Sequence, residues 1–408
     1  MDYIHRTLER KFTHMSSFFK AVLVTGARQV GKTTMLRHLA EGQKRTYVTL
    51  DNLNARDLAK TDPTLFFQTY KPPIIIDEVQ YAPELFVQIK VQCDQSEDKG
   101  LFWLTGSQRF DMMKNVRETL AGRIGILELH SFSKNEKDNI SFTNELDFSL
   151  SCLQERQEQV PKNDIIDVFD HIWRGGMPQA LYADQEQRQE YYDSYVDTYL
   201  MRDATTLGGV TDTLRFGRFL KACAALISEQ TNFKTLADSA EVSQPTAKEW
   251  LRLLKGLGII YLLQPYSNNE LKRLTKAPKL YFYDTGLAAH LSMWPTRETL
   301  MNGAASGHYF ENHVVSELIK HYDYAPSKAN LSYYRDSNAK EIDILVEQGN
   351  LIHPLEIKKS AKPDRREVKK FDLLGKAPSE RGCGGIVCLC EEVMPIDEYN
   401  SFIPCNLI

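Results

Sequence analysis

The octapeptide Gly26-Ala27-Arg28-Gln29-Val30-Gly31-Lys32-Thr33 carries the residue types needed to hold a polyphosphate. Its spacing fits G-x-x-x-x-G-K-[ST], in which glycines let backbone N–H groups wrap closely around phosphate oxygens. Lys32 sets an ammonium against the β- and γ-phosphates, and the hydroxyl of Thr33 is a ligand for Mg²⁺. Thr34 continues into a helix whose N-terminal amides face the same anion. A second element, Pro72-Pro73-Ile74-Ile75-Ile76-Asp77-Glu78, is an apolar run ending in two carboxylates. Asp77 is suited to hold Mg²⁺ through water, and Glu78 to polarise an attacking water. A third run ends Leu104-Thr105-Gly106-Ser107-Gln108, which puts Ser107 or Gln108 where a γ-phosphate would be sensed. Together these residues imply ATP and Mg²⁺ as cofactors, and hydrolysis as the reaction.

A third constellation lies near the C-terminus. Gly307-His308-Tyr309-Phe310-Glu311-Asn312 opens a helix that bears an acid. In Glu341-Ile342-Asp343-Ile344-Leu345-Val346 the period of a strand sets Glu341 and Asp343 on one face. Leu355-Glu356-Ile357-Lys358 sets Glu356 and Lys358 on one face for the same reason. An Asp followed by Glu-x-Lys, with Glu311 completing the acidic cluster, resembles the restriction-endonuclease-like fold, PD-(D/E)xK. There carboxylates hold Mg²⁺ near a scissile phosphate and the lysine positions water. The same residues are also consistent with a fold that binds without cutting.

Elements must position these groups. Residues 1–20 read as a leading helix. Ala21–Thr25, Thr46–Leu50, Ile74–Ile76, Leu101–Thr105 and Ile124–Leu129 read as short, mostly apolar strands, with helices between them such as the one from Lys32 to about Glu41. Apolar strands alternating with helices predict a parallel sheet covered on both faces. Residues 134–164 are polar and weakly periodic, which predicts an exposed connector or irregular helical insertion. Residues 165–203 read as helical, broken at Gly175-Gly176-Met177-Pro178. From Gly307 the pattern is α/β again: a helix, two strands, a helix and a last strand near Ile386.

The phosphate motifs, with Leu120-Ala121-Gly122-Arg123, Trp173-Arg174-Gly175-Gly176-Met177-Pro178, Ile76-Asp77-Glu78-Val79-Gln80 and Tyr199-Leu200-Met201-Arg202-Asp203, resemble the bacterial and archaeal AAA-type P-loop ATPases. The members in question pair this core with an uncharacterised C-terminal region. The resemblance implies an ATPase with a helical lid, in which the Gly176-Met177-Pro178 turn lies by adenine. It also implies an arginine supplied either by the lid or by a neighbouring subunit of a homo-oligomer. Arg123 and Arg174 are the first candidates for that arginine, with Arg109 and Arg202 behind them.

Between the two α/β regions, Thr231 to Asp238 starts a short helix and Ala240-Glu241-Val242 makes a turn. Ser243-Gln244-Pro245-Thr246 then caps a second helix to about Lys255. Serine at the cap and proline in the first turn are start signals. A strand from Ile259 to Gln264 and the polar tip Tyr266-Ser267-Asn268-Asn269 complete a winged-helix pattern. DNA would meet Ser243, Gln244, Thr246 and Lys248, helped by Lys272, Arg273, Lys276 and Lys279. The bland alternative is a packing module. From Glu356 to Lys376 the chain also carries Lys358, Lys359, Lys362, Arg365, Arg366, Lys369, Lys370 and Lys376 against four acids, a patch suited to a phosphate backbone.

Composition sets limits on all this. With 408 residues, two to four domains are expected. The motifs divide them as 1–133 for the ATPase core, 134–214 for connector and lid, 215–300 for the winged helix and 301–408 for the endonuclease-like region. A net charge of −4 gives no global attraction to nucleic acid, so contact would need a local patch. The longest apolar stretch, Ala222 to Ile227, is too short to span a bilayer. Seven cysteines, an odd number, predict reduced thiols and a cytoplasmic location. Cys388 and Cys390 alternate in an apparent strand and read as core residues rather than zinc ligands. Three functional readings follow: an ATPase that controls DNA-binding modules, an ATP-regulated nuclease, and a signalling ATPase with protein-docking modules.

Overall fold

The computed structural model describes residues 3–106, 116, 118–142, 144–162, 164–266, 277–336, 338–375 and 379–408. The chain divides into two compact units, one of Met1–Ser131 with Gly256–Ile259, the other of Phe132–Lys255 with Ile260–Ile408. The segments 134–214, 215–300 and 301–408, distinguished on sequence grounds, therefore share the second unit apart from Gly256–Ile259.

In the first unit the elements run α1 (Leu8–Phe18), β1 (Ala21–Thr25), α2 (Lys32–Leu39), β2 (Thr46–Thr49), α3 (Leu53–Thr61), α4 (Pro63–Thr69), β3 (Ile74–Asp77), α5 (Leu85–Gln95), β4 (Phe102–Thr105) and β5 (Ile124–Glu128). The five strands pair in the order β2-β3-β4-β1-β5, all parallel. Every residue of β1, β3 and β4 is buried, which is what an apolar strand covered on both faces requires. Each buried isoleucine of β3 contributes about 1.5–3 kcal/mol of burial energy. On α1, Phe12 packs edge-on against Trp103 at 4.9 Å. Ahead of that helix, the buried Arg6 donates to Val30 O at 2.8 Å and to His130 O at 2.7 Å, tying the start of the chain to the loop after β1.

The second unit is built on a nine-stranded mixed sheet. Its strands are β6 (Ile260–Pro265), β7 (Lys279–Phe282), β8 (Asn330–Arg335), β9 (Glu341–Gln348), β10 (Leu351–Lys358), β11 (Glu380–Arg381), β12 (Gly384–Cys388), β13 (Met394–Pro395) and β14 (Asn400–Pro404). They run in the order β13-β14-β12-β10-β9-β8-β6-β7, with β11 on β10. Gln348 pairs with Leu351, which leaves Gly349-Asn350 as a two-residue hairpin turn, and Gly349 takes the positive φ (58°) such turns favour. The helix Ser306–Tyr324 is buried along most of its length. Among the described residues no helix is long and apolar enough to cross a membrane.

Two sequence expectations need correction here. Residues 134–164 carry the short helices Lys134–Lys137 and Leu150–Gln157, as the helical alternative has it, but are not an exposed connector: Leu146, Phe148 and Leu153 are buried, and so is Arg156. The Arg156 guanidinium donates to Leu407 O (2.9 Å) and Asn144 O (3.0 Å), so carbonyls replace the water it gives up. A polar composition hid this because the buried group is itself charged. Beyond Gly307 there are more strands than expected. Asn330–Arg335 adds β8, and Asn400–Pro404 adds β14. Cys388 and Cys390 lie in a buried apolar cluster with Phe371 and Ile386.

His171 and His313 are each 2% exposed, with rings 5.4 Å apart edge-to-face. Burial pushes His313 down to about 4 and His171 well below its ordinary value. The unfolded chain then binds more protons than the folded one below about pH 6.5. Stability is present above that pH and is lost as pH falls, by about 1.4 kcal/mol per pH unit for each imidazole. Urea midpoints taken from pH 7.5 to 5 should fall accordingly, with a shallower slope in His313→Gln.

Candidate functional site

Every group of the phosphate motif sits at the carboxyl end of the parallel sheet. Gly26 leaves β1 at φ 138°, and a Cβ there would lie 2.0 Å from Leu129 O, so only glycine fits. Gln29 (φ 61°) and Gly31 (φ 94°) also adopt left-handed conformations, and these bend the loop back before α2 begins. Lys32, 6% exposed, donates to Gly26 O at 3.1 Å and Ala27 O at 2.8 Å, so its ammonium lies along the loop. Val30 is buried and anchors the loop, whereas Thr34 faces outward.

Thr33 Oγ1 donates to Asp77 Oδ1 at 2.6 Å, joining the loop helix to the acidic strand. The pairing of Ile76 with Leu104 brings the next residues, Asp77 and Thr105, side by side. The Thr105 hydroxyl donates to Asp77 Oδ1 and accepts from Glu78 N at 3.1 Å. Tyr47 of β2 donates its hydroxyl to Asp77 Oδ2 at 3.1 Å; burial, then the Asp77 charge, push this phenol up to about 12. Glu78 has φ 57°, a conformation rare for a side-chain-bearing residue, and this turns it out of the strand direction. A hydroxyl and a carboxylate oxygen in contact form a hard-oxygen donor set that fits Mg²⁺.

Of Lys32, Thr33, Asp77 and Glu78, named from the sequence, the structure brings Thr33 against Asp77, with Lys32 and Glu78 their neighbours in the chain. Sequence reasoning missed Thr105 and Tyr47, whose part depends on strand register, and it missed Arg6. Ser107, Gln108 and Arg109 lie outside the described residues. Arg123 needs correction as a group of its own chain's phosphate site. It precedes β5, its carbonyl accepts from Ala21 N at the start of β1, and the loop leaves the other end of that strand. Its guanidinium instead grips Asp94, at 2.6 and 3.1 Å. Arg174 is held by Asp170 (2.9 Å) and Ala183 O (2.8 Å). Pro178 follows a turn in the second unit at which Gly176 N donates to Asp284 Oδ2 at 2.7 Å.

The C-terminal constellation also assembles, within the second unit. Lys358 Nζ lies 2.8 Å from Glu356 Oε2 and 3.5 Å from Asp343 Oδ2, and Asp343 Oδ2 also accepts from Ile357 N at 2.8 Å. Glu311 accepts from Tyr281 OH at 2.7 Å and from Lys279 Nζ at 3.0 Å. Burial, reinforced by the Asp343 charge, pushes Glu311 and Glu356 each up to about 7. Glu356 is fully buried, and its Oε1 has no hydrogen-bond partner among the described residues. Lys279 and Lys370, expected on DNA-facing patches, need correction: Lys279 is buried and bridges Glu311 and Glu341, and Lys370 lies 3.0 Å from Glu356 Oε2.

The basic patch of residues 356–376 is weaker than its composition. Lys358 and Lys370 are spent on Glu356, and Lys359 donates to Met301 O and Ser306 Oγ. Arg365 donates to Ile396 O, and Arg366 pairs with Asp364. Lys362 and Lys369 are exposed. Lys376, with Lys272, Arg273 and Lys276, lies outside the described residues. On the helix Gln244–Gly256, Ser243 caps Thr246 N at 3.2 Å, and Gln244, Lys248 and Glu249 are exposed opposite the buried Ala247, Trp250, Leu251 and Leu254.

The first unit has a parallel sheet with a glycine loop and helix after β1, and an acid pair at the end of β3, separated from β1 by β4, the arrangement of a P-loop nucleotide-binding domain. Residues 18–137 match the AAA domain family. Residues 165–298 and 306–408 match two domains of unknown function, DUF8612 and DUF4143. An uncharacterised protein of Mycobacterium tuberculosis is 29% identical over 345 residues, which are 84% of this chain and 71% of that one. An uncharacterised protein of Mycobacterium bovis matches to the same extent. Among solved structures, a Walker-type ATPase of Pyrococcus abyssi is 16% identical with a TM-score of 0.44, covering 72% of this chain and 97% of its own. The Holliday junction branch migration motor RuvB of Thermotoga maritima is 16% identical with a TM-score of 0.32, covering 64% and 90%.

Proposed function

We propose that the chain is a Mg²⁺-dependent ATPase whose nucleotide state governs how its second unit engages DNA. The observation that carries the ATPase reading is the contact of Thr33 with Asp77 beside the loop lysine, with Glu78 next in sequence. Loop amides and the Lys32 ammonium bind the β- and γ-phosphates. Thr33 and Asp77 hold Mg²⁺, which offsets the charge that develops on the phosphate oxygens. Glu78 accepts a proton from the attacking water. Thr105 holds both acids, since its one hydroxyl serves the Asp77 carboxylate and the Glu78 amide. Pro178 is assigned to the adenine side by resemblance alone, and Ser107 to the γ-phosphate by its position after β4 alone. The test is release of phosphate from ATP by the full chain, with and without Mg²⁺. An AAA-type domain that turns over no ATP under any of these conditions contradicts the reading.

DNA binding is supported by the exposed Gln244 and Lys248 on a helix whose other face is buried. It predicts retention of duplex DNA at low salt, where phosphate contacts are strongest.

A second reading, an ATP-regulated metal-dependent nuclease, is favoured by the gathering of Glu311, Asp343, Glu356 and Lys358. Glu311 and Glu356, both pushed up to about 7, gather with Asp343 as oxygen donors of the kind a divalent cation takes, beside the Lys358 ammonium. Under this reading the full chain nicks plasmid DNA with Mg²⁺ or Mn²⁺, and Asp343→Ala or Lys358→Ala reduces nicking about 100-fold or more. Intact plasmid with the wild-type chain in both metals rejects it.

A further inference from the structure

Gln80 closes the stretch Ile76-Asp77-Glu78-Val79-Gln80, and nothing in the chemistry above uses it. The side chain is 6% exposed. Its Nε2 donates to Glu78 Oε2, while its Oε1 is buried with no donor among the described residues. The reversed amide would set its oxygen against the carboxylate, so the orientation is determined by chemistry. The backbone around it is fixed independently of this bond. Residues 79–81 form a short 3₁₀ turn, closed by Tyr81 N to Glu78 O and Ala82 N to Val79 O, both at 3.1 Å. Val79 is fully buried, and the Arg56 guanidinium lies 4.0 Å over the Tyr81 ring.

Glu78 is thus held at three points: its N–H by Thr105, its φ by the left-handed turn, and one carboxylate oxygen by Gln80. No described residue donates to the other oxygen, Oε1. A carboxylate with one oxygen tied and its backbone fixed presents its remaining basic oxygen in a single direction. An amide buried with an unmet acceptor is unfavourable for the fold, and an apolar side chain of the same size would remove that cost.

We propose that Gln80 is a positioning residue for ATP hydrolysis. Its amide pins Glu78 Oε2, so that Oε1 takes the proton of the attacking water. The inference rests on the ATPase reading of the first unit. In the step it serves, the water oxygen bonds to the γ-phosphorus and one water proton passes to Glu78 Oε1. The bond from the γ-phosphorus to its bridging oxygen breaks, and ADP and inorganic phosphate leave. Gln80 itself exchanges no proton and sets only the geometry.

The experiment is steady-state ATP hydrolysis by the full chain carrying Gln80→Leu, beside wild type and Glu78→Gln. The expected result is a fall in kcat of about 10–100-fold, with KM and the affinity for a non-hydrolysable ATP analogue changed by no more than about threefold. The melting temperature should equal or exceed that of wild type, because the orphaned acceptor is gone. A purely structural role would instead lower the melting temperature and weaken nucleotide binding together. Gln80→Asn keeps an amide on a shorter arm and is expected to be slow as well; it serves as the readout if the leucine variant fails to fold. Variants whose kcat stays within twofold of wild type, or rises, overturn the proposal while leaving the ATPase reading intact. A wild-type chain that hydrolyses no ATP overturns both.

Discussion

Replacing Lys32 with alanine is expected to remove saturable ATP binding and to lower kcat/KM by about 10²–10³-fold or more. The ammonium is the cation of the glycine loop, and it already lies along that loop through Gly26 O and Ala27 O. At 6% exposure it acts where water screens little, so a charge-assisted contact to phosphate is stronger there than on an open surface. The same substitution leaves two loop carbonyls without their donor, for about 1–3 kcal/mol of stability. A fall in melting temperature of a few degrees without nucleotide is therefore expected, and binding must be compared below the melting range. Titration of the variant with a fluorescent ATP analogue should show no saturation at concentrations that saturate wild type.

The second large effect separates binding from chemistry. Glu78→Gln keeps shape, the Thr105 contact to the backbone N–H and the left-handed turn, and removes only the basic oxygen. General-base catalysis contributes about 10²–10⁴-fold, so kcat should fall by that factor while ATP remains bound with affinity near wild type. Single-turnover experiments should show ATP retained and unhydrolysed. If Glu78→Gln kept kcat within threefold of wild type, proton acceptance by this residue would be excluded, whatever the fate of the loop.

The phosphate loop and its acids could be read from the sequence because each is local. Glycines, lysine and threonine occupy adjacent positions, and Asp77 and Glu78 end one apolar run. Burial of β1, β3 and β4 follows from composition alone. Thr105 and Tyr47 could not be read because their contact with Asp77 comes from the order β2-β3-β4, which strand composition does not encode. Arg123 lies away from its own chain's loop for a related reason: a residue that precedes a parallel strand lies at the end remote from the loop. In the second unit the period of two put Asp343 with Glu341, and Glu356 with Lys358, on common faces. The lysines that fill the cluster, Lys279 and Lys370, come from elsewhere in the chain and read locally as surface charge for DNA, because their acidic partners are distant in sequence. Buried cations such as Arg156 defeat any reading in which charge means exposure.

Calorimetric titration of the full-length chain with a non-hydrolysable ATP analogue, with Mg²⁺ and then with excess EDTA, addresses the phosphate site most directly. Binding of one nucleotide per chain, tighter with Mg²⁺ and absent in Lys32→Ala, is the predicted result. No saturable heat from the wild-type chain, or equal binding by Lys32→Ala, would contradict the account at its base.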